Sequence, residues 1–342
     1  MKAAVIHPPH ALRIDDIAMD AAGPRSVTVR VRNGGICGSD LHYYHHGGFG
    51  TVRVREPMVL GHEVAGEVVA VGAEVTRVKA GARVAVNPSL PCNACRYCLE
   101  GAQQHCLDMR FYGSAMRTPH VQGGFREFLV CDESQAVPAD MPLERAAFAE
   151  PLSVCLHAVR QAGPMLGRRV LVVGAGPIGV LCAMVARHAG AREIVMTDLL
   201  DEPLALARRV AADRTINVAT DADGLAPYGA DKGYFDVAFE ASGSAPGVVS
   251  ALTALRPGAT MVQVGLGGGE IAVPMNMIVA KEITLRGTFR FHAEFEMAVA
   301  LLAANAIDVA PLLSEIVPLL DAERAFTLAT DRKRAMKVQL AL

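Results

Sequence analysis

The sequence predicts an α/β chain of two domains, a β-rich domain with metal-ligating side chains and a doubly wound parallel sheet. Three observations predict it: a run of four closely spaced cysteines, a glycine-rich turn between a strand and a helix, and a change of hydrophobic pattern between them.

Cys92, Cys95, Cys98 and Cys106 form a Cys-x2-Cys-x2-Cys-x7-Cys run. The x2 spacings fold the chain back so that three sulfurs face one point and the fourth closes a tetrahedral Zn²⁺ cage. No coordination position is left for a substrate, so this zinc is structural. The lobe around 88–110 has too little apolar content to build a core and takes its stability from the metal. Disulfides or unrelated thiols are the alternatives, and such clustering without a leader peptide favours metal.

The chain has 342 residues and a formal net charge of −2. That length suits two domains. The charge gives no footprint for nucleic acid or an anionic membrane surface, so the expected partners are small molecules or further subunits. The start, MKAAVIHPPH, reads as a strand running into prolines and lacks a signal peptide's apolar core. The charge-free run from Val170 to Ala186 is interrupted by Gly174, Gly176, Pro177 and Gly179, which argues against a membrane span. A cytoplasmic protein with reduced or metal-bound cysteines is expected. No internal repeat or low-complexity segment is found.

Up to about residue 150, short β-rich runs such as SVTVRVRNGG, EVAGEVVAVG and ARVAVNP suit a twisted, barrel-like β-domain. From about 152 to 288 the apolar runs are continuous and alternate with helical segments. RVLVVGAG, EIVMTD, RTINV, FDVAFEAS, TMVQVGLG and EITLRGTF read as six strands of a parallel sheet buried on both faces. The tail predicts a helix at HAEFEMAVALLAANA, a strand at SEIVPL, a helix at DAERAFTLATD and a last strand at MKVQLAL. The charges of TDRKRAMK read as a solvated helix end.

GAGPIG places Gly174, Gly176 and Gly179 in G-x-G-x-x-G spacing, directly after RVLVV and before a helix. Gly174 permits the tight turn, Gly176 lets backbone approach a pyrophosphate, and Gly179 allows close helix packing. Pro177 and Ile178 open the helix whose N-terminus favours the anion. Asp198 ends the next strand, nineteen residues after Gly179, where its carboxylate meets an adenosine ribose diol. No arginine follows in LLDEPL, so NAD is expected in preference to NADP.

A second, open metal site draws on GGICGSD and GHE. Cys37 and His62 supply a thiolate and an imidazole, each beside a glycine, and either Glu63 or Glu150 supplies the third ligand, leaving one position free. The other acid then supports the site from behind. Cys131, Cys155 and Cys182 read as buried thiols, and His45, His46, His120 and His188 have no ligand spacing.

These motifs, with LGHEVAGEV and EPLSVCLHA, give the chain a resemblance over essentially its whole length to the zinc-dependent medium-chain dehydrogenases, and within them to the polyol, sorbitol-type branch. Longer strings, NPSLPCNACRYC, DMRFYGSAM, GYFDVAFEASG, MVQVGLGG and LRGTFRF, narrow it toward members acting on sugar acids. The resemblance implies a GroES-like catalytic domain over 1–151 and 289–342 and a Rossmann domain over 152–288. It implies a catalytic zinc on Cys37, His62 and Glu63 with Glu150 close by, whereas other branches place a cysteine at the position of Glu150. Ser39 matches a proton-relay hydroxyl, and Val264, Gly265, Leu266 and Thr288 match cofactor-binding positions. The implied reaction is hydride transfer to NAD from a secondary alcohol, L-idonate to 5-keto-D-gluconate, with a sorbitol, xylitol or L-threonine dehydrogenase as the alternative and a non-catalytic zinc or nucleotide binder as the alternative of another class. A homodimer or homotetramer is implied.

Tyr43 matches a substrate-contacting tyrosine of the polyol branch and Arg290 an arginine lining the same cleft. An aldonate carboxylate calls for a guanidinium. Arg110 in DMRFYGSAM is the first candidate, with pairing to Asp108 as its bland alternative, and Arg290 is the second.

Overall fold

The computed structural model describes residues 1–267 and 269–342, so the last glycine of MVQVGLGG lies outside the described residues. The chain divides into two compact units. The first comprises Met1–Ser153, His292–Asp331 and Lys337–Leu342, and the second Val154–Phe291 with Arg332–Met336.

The first unit is built on a sheet whose strands run Ala136–Pro138, Arg83–Val86, Glu63–Val71, Ser26–Gly35, Lys337–Ala341 and Leu313–Pro318, with Phe128–Asp132 also on Ser26–Gly35. Alternation in SVTVRVR turns Val27, Val29 and Val31 into the core, where all three are fully buried. Pairing sets Gly35 opposite Glu63 on one side and opposite Gln339 on the other. Continuing that register past the ladder puts Lys337 level with Cys37, and the Ile36 N–H indeed donates to Val338 O at 3.0 Å. Three sequence-distant segments therefore meet at one sheet end. The expected tail elements form as Glu294–Ala303 and Ala322–Thr330 helices and the Leu313–Pro318 and Lys337–Ala341 strands.

The second unit holds six parallel strands in the order Arg214–Asn217, Glu193–Asp198, Arg169–Val173, Phe235–Glu240, Leu255–Gln263, Thr284–Gly287. In chain order this is 3-2-1-4-5-6, the doubly wound arrangement. Val170, Leu171 and Val172 are fully buried in the central strand, and Phe235, Leu252, Leu255 and Met261 pack into one core beside them. The sixth strand departs from the expectation of burial on both faces. All four of its residues are exposed, because it lies at the sheet edge.

Candidate active site

Cys37 caps the helix Gly38–His46, and the carboxylate of Asp40 folds back to accept the Cys37 N–H at 3.0 Å and the Gly61 N–H at 3.2 Å. One acid thereby fixes the two turns that carry Cys37 and His62. His62 Nδ1 lies 3.7 Å from the same carboxylate, and the ring packs against Phe111 with centroids 5.5 Å apart. Asp40 is fully buried, and it was present in the sequence only as the last residue of a cysteine motif.

The donor atoms of Cys37, His62 and Glu63 lie within 4.8 Å of one another. His62 Nδ1 is buried without a hydrogen-bond partner among the described residues. Burial first, and then the charge of Glu63, push the Cys37 thiol up to about 11, while Lys337 and a hydrogen bond from Ser39 oppose them. A sulfur, a ring nitrogen and a carboxylate clustered in a dry, negatively biased pocket fit a zinc ion, whose charge would hold the thiol ionised.

Glu63 reaches this position because its opposite residue has no side chain. A Cβ on Gly35 would stand 2.1 Å from Glu63 Oε2. The carboxylate lies across that gap and meets Lys337 Nζ, 2.6 Å from Oε1 and 2.5 Å from Oε2, with both side chains buried. Lys337 Nζ also donates to Ile36 O at 3.0 Å. Nothing near Lys337 in sequence signals this role, since it stands 274 residues from Glu63.

Glu150, in the first turn of the helix Ala149–Ala162, is buried and lies outside the three-atom cluster. Burial, the dominant cause, pushes its pKa up to about 8; Glu63 and Cys37 add to the rise, and His62 and Lys337 oppose it. Tyr43 is 2% exposed and its hydroxyl accepts the Ala115 N–H at 3.1 Å. Arg110 is exposed on the two-residue strand Arg110–Phe111, which pairs with Ser89–Leu90. Its neighbour Phe111 is the ring on His62, and alternation along a strand turns Arg110 the other way. Asp108 pairs with Arg117 rather than Arg110. Arg290 stacks over Phe289, 5.0 Å from the ring centroid.

The four lobe cysteines also converge within 4.8 Å, with Cys92 and Cys98 sulfurs 4.0 Å apart and Cys95 and Cys98 3.5 Å apart. A Zn–S tetrahedron with bonds of about 2.3 Å has edges of about 3.8 Å. Backbone N–H groups of Cys92, Cys95, Leu107 and Asp108 point at the sulfurs. Those bonds favour thiolates, and the N–H of Leu107 leads the causes that hold Cys95 near 6. Cys131, Cys155 and Cys182 are buried, and none of the eight cysteines is in a disulfide.

In the second unit Gly174 adopts φ +97°, open to glycine at little cost. A Cβ on Gly179 would stand 1.9 Å from Gly174 O, whereas one on Gly176 would meet nothing within 4 Å. Gly176 caps the helix Pro177–His188, leaving open space at a helix N-terminus where a pyrophosphate fits. Asp198 accepts the Ala175 N–H at 2.7 Å and so ties the second strand to this turn. The N–H groups of Val264 and Gly265 both donate to Glu240 O at 2.8 Å, Leu266 is exposed, and Thr288 Oγ1 is buried without a hydrogen-bond partner among the described residues. Arg332, expected in a solvated helix end, instead donates to Asp198 Oδ2 at 2.6 Å; the helix stops at Thr330 and leaves the arginine free to reach it. No helix among the described residues is long and apolar enough to cross a membrane.

The family described as alcohol dehydrogenase GroES-like domain matches residues 23–142, and that described as zinc-binding dehydrogenase matches residues 177–304. The chain is 45% identical over 314 residues to L-idonate 5-dehydrogenase (NAD(P)(+)) of Escherichia coli K12, covering 91% of this chain and 90% of that one. It is 37% identical over 326 residues to D-xylulose reductase A of Aspergillus niger, covering 93% and 90%. The crystal structure of the Escherichia coli L-idonate 5-dehydrogenase superposes with a TM-score of 0.95 at 42% identity, over 100% of this chain and 98% of that one.

Proposed function

The chain belongs to the zinc-binding alcohol dehydrogenase family, with a GroES-like and a Rossmann-type domain, and from that premise we propose that it oxidises a secondary alcohol of a sugar acid, L-idonate to 5-keto-D-gluconate, with NAD. The observation that carries the reaction type is the convergence of Cys37, His62 and Glu63 on one point in a chain that also holds the Gly174 turn. The substrate class is supported by the likeness to the idonate enzyme.

When bound, zinc supplies Lewis acidity toward a substrate hydroxyl and NAD supplies the hydride acceptor. The remaining work falls to side chains. Cys37, His62 and Glu63 hold the metal, Asp40 orients the imidazole, and Lys337 balances the charge of Glu63. Glu150, protonated more readily than an ordinary carboxyl, can hold or release a proton near neutral pH at its carboxylate. Ser39 Oγ is the relay hydroxyl beside Cys37. Tyr43 shapes the pocket; of the two arginines expected to meet the substrate carboxylate, Arg110 is turned away from His62 by the strand Arg110–Phe111, which leaves Arg290 as the candidate.

A purified-protein panel of L-idonate, D-gluconate, sorbitol, xylitol and L-threonine with NAD⁺, followed at 340 nm with and without chelator, tests this. The highest kcat/KM is expected for L-idonate, with loss of turnover on chelation. A higher value for xylitol or sorbitol would move the chain to the polyol reading, which the likeness to D-xylulose reductase favours. Arg290→Met is expected to raise KM for the aldonate much more than for a neutral polyol, and Arg110→Met to change the two little and alike. We also assign the chain a homodimeric or homotetrameric state and a cytoplasmic location. The former is supported by Val279 and Leu285, exposed beside the sheet edge, and the latter by eight cysteines none of which is in a disulfide.

A further inference from the structure

The helix Gly38–His46 starts at the open metal pocket and ends away from it. Cys37 caps it and Tyr43 is buried along it, whereas His42 and His46 are exposed. Residues four apart lie about one turn apart on a helix, so these two histidines share one face. Their ring centroids are 6.0 Å apart, with the planes inclined at 39°. Zn–N bonds of about 2.1 Å place each ring centre about 3 Å from an ion, so rings whose centres stand 6.0 Å apart can span a single one.

Three local features suit the pair to a cation. The ring of His42 packs on Phe49, with 6.0 Å between centroids, which steadies it. Burial, and after it the charge of His46, holds His42 below the ordinary imidazole range, so at neutral pH its ring is uncharged and carries a lone pair. His46 ends the helix, next to Gly47 at φ +66°, and the last carbonyls of a helix place partial negative charge there. The two other imidazoles nearby are engaged elsewhere. His45 Nε2 lies 2.9 Å from Thr330 Oγ1, and His10 meets Tyr44 edge-on with centroids 5.3 Å apart.

We propose that His42 and His46 form a metal site of their own, apart from the two that contain cysteine: a two-imidazole chelate for a divalent ion of the zinc, nickel and copper class, with water in its remaining positions. Calcium and magnesium are excluded by the donors, since those ions take oxygen. With fewer protein ligands than the clusters at Cys37 and Cys92, the site binds more weakly, and its ion exchanges while theirs stay. When occupied, it fastens the last turn of the helix that Cys37 begins.

Equilibrium dialysis of the zinc-loaded chain against buffered free Zn²⁺, with bound metal counted by elemental analysis, tests this without reference to turnover. Wild type is expected to take up about one zinc per chain beyond the metal that survives gel filtration. In His42→Gln, and separately in His46→Gln, the Kd of that added ion is expected to rise about tenfold or more, because one of two ligands is gone. Both side chains are exposed, so both variants are expected to keep the fold. His45→Gln is expected to bind as wild type does. No uptake beyond the resident metal, equal uptake by wild type and the two variants, or a loss in His45→Gln alone would overturn the proposal. Each of these results leaves the dehydrogenase reading standing, because that reading rests on Cys37, His62 and Glu63.

Discussion

Lys337 and Glu63 form a buried ion pair across the end of the first sheet, 2.6 Å from Nζ to Oε1, with side chains 4% and 1% exposed. Removing one member of such a pair strands the other charge in a dry site, at a cost of about 3–5 kcal/mol. A bound zinc offers Glu63 a second countercharge. Lys337→Met is therefore expected to destabilise the chelated protein by about that amount and the zinc-loaded protein by clearly less. Urea denaturation with and without chelator measures both, and equal losses would show that the lysine has no part in the charge balance of the metal pocket.

The glycines of GAGPIG separate folding from binding. Gly179→Ala drives a Cβ to 1.9 Å from Gly174 O, so the turn has to open. Thermal melting is expected to fall by several degrees, about 2 kcal/mol or more, with cofactor affinity lost as a by-product. Gly176→Val meets no protein atom near its Cβ. It is expected to keep the melting temperature within a few degrees and to weaken NAD⁺ binding at least tenfold, because the new side chain fills the space kept for pyrophosphate. Titration calorimetry beside melting curves distinguishes the two variants.

What was legible in the sequence was local. The lobe cysteines lie within fifteen positions, and the glycine turn carries its strand and helix on either side, so spacing alone determined their chemistry. Cys37, His62 and Glu63 were legible as motifs, although their convergence depends on the pairing of Gly35 with Glu63. Lys337 and Arg332 were not legible. Each reaches its partner through a strand register or a chain path that no neighbouring residue announces, and a basic run at a helix end is ordinarily solvated. The exposed Thr284–Gly287 strand misled for a related reason, since an edge strand and a central strand can carry the same β-forming residues.

The lobe supplies a metal test independent of activity. Cys98 is buried and its sulfur lies 4.0 and 3.5 Å from those of Cys92 and Cys95. Cys98→Ser is expected to lower zinc from two ions per chain to about one by elemental analysis. The region 88–110 should then become the first site of limited proteolysis, because coordination replaces a core there. Retention of two zinc ions would refute the four-thiolate cage.

Asp236 gives a pH signature. Burial raises its pKa, but the Arg169 N–H at 2.8 Å and the guanidinium groups of Arg256 and Arg169 outweigh that and hold it below the usual carboxylate range. A folded value below the unfolded one contributes stability that is fully present above about pH 4 and is lost as pH falls through the lowered value. Asp236→Asn is expected to lower the urea midpoint by the same amount at pH 7 and pH 5. The gap to wild type should narrow below about pH 4. A gap that stayed constant down to pH 3 would mean the arginines do not depress this carboxyl.

The two glutamates near the open metal pocket are separable by metal content against turnover. Glu63 contributes an oxygen to the cluster of potential ligands, and Glu150 lies outside it while still feeling the charges of His62, Glu63 and Cys37. Glu63→Gln exchanges an anionic ligand for a neutral amide and also strands Lys337, so zinc should be lost from the open site on dialysis while the lobe zinc stays. Glu150→Gln removes a titratable proton and keeps the shape. It should retain both zinc ions, lower kcat by about 10–100-fold, and flatten whichever limb of the kcat profile lies near pH 8, where burial places this carboxyl. Zinc loss from Glu150→Gln with retention in Glu63→Gln would exchange the two roles, making the carboxylate on the helix Ala149–Ala162 the ligand and leaving Glu63 as the partner of Lys337 alone.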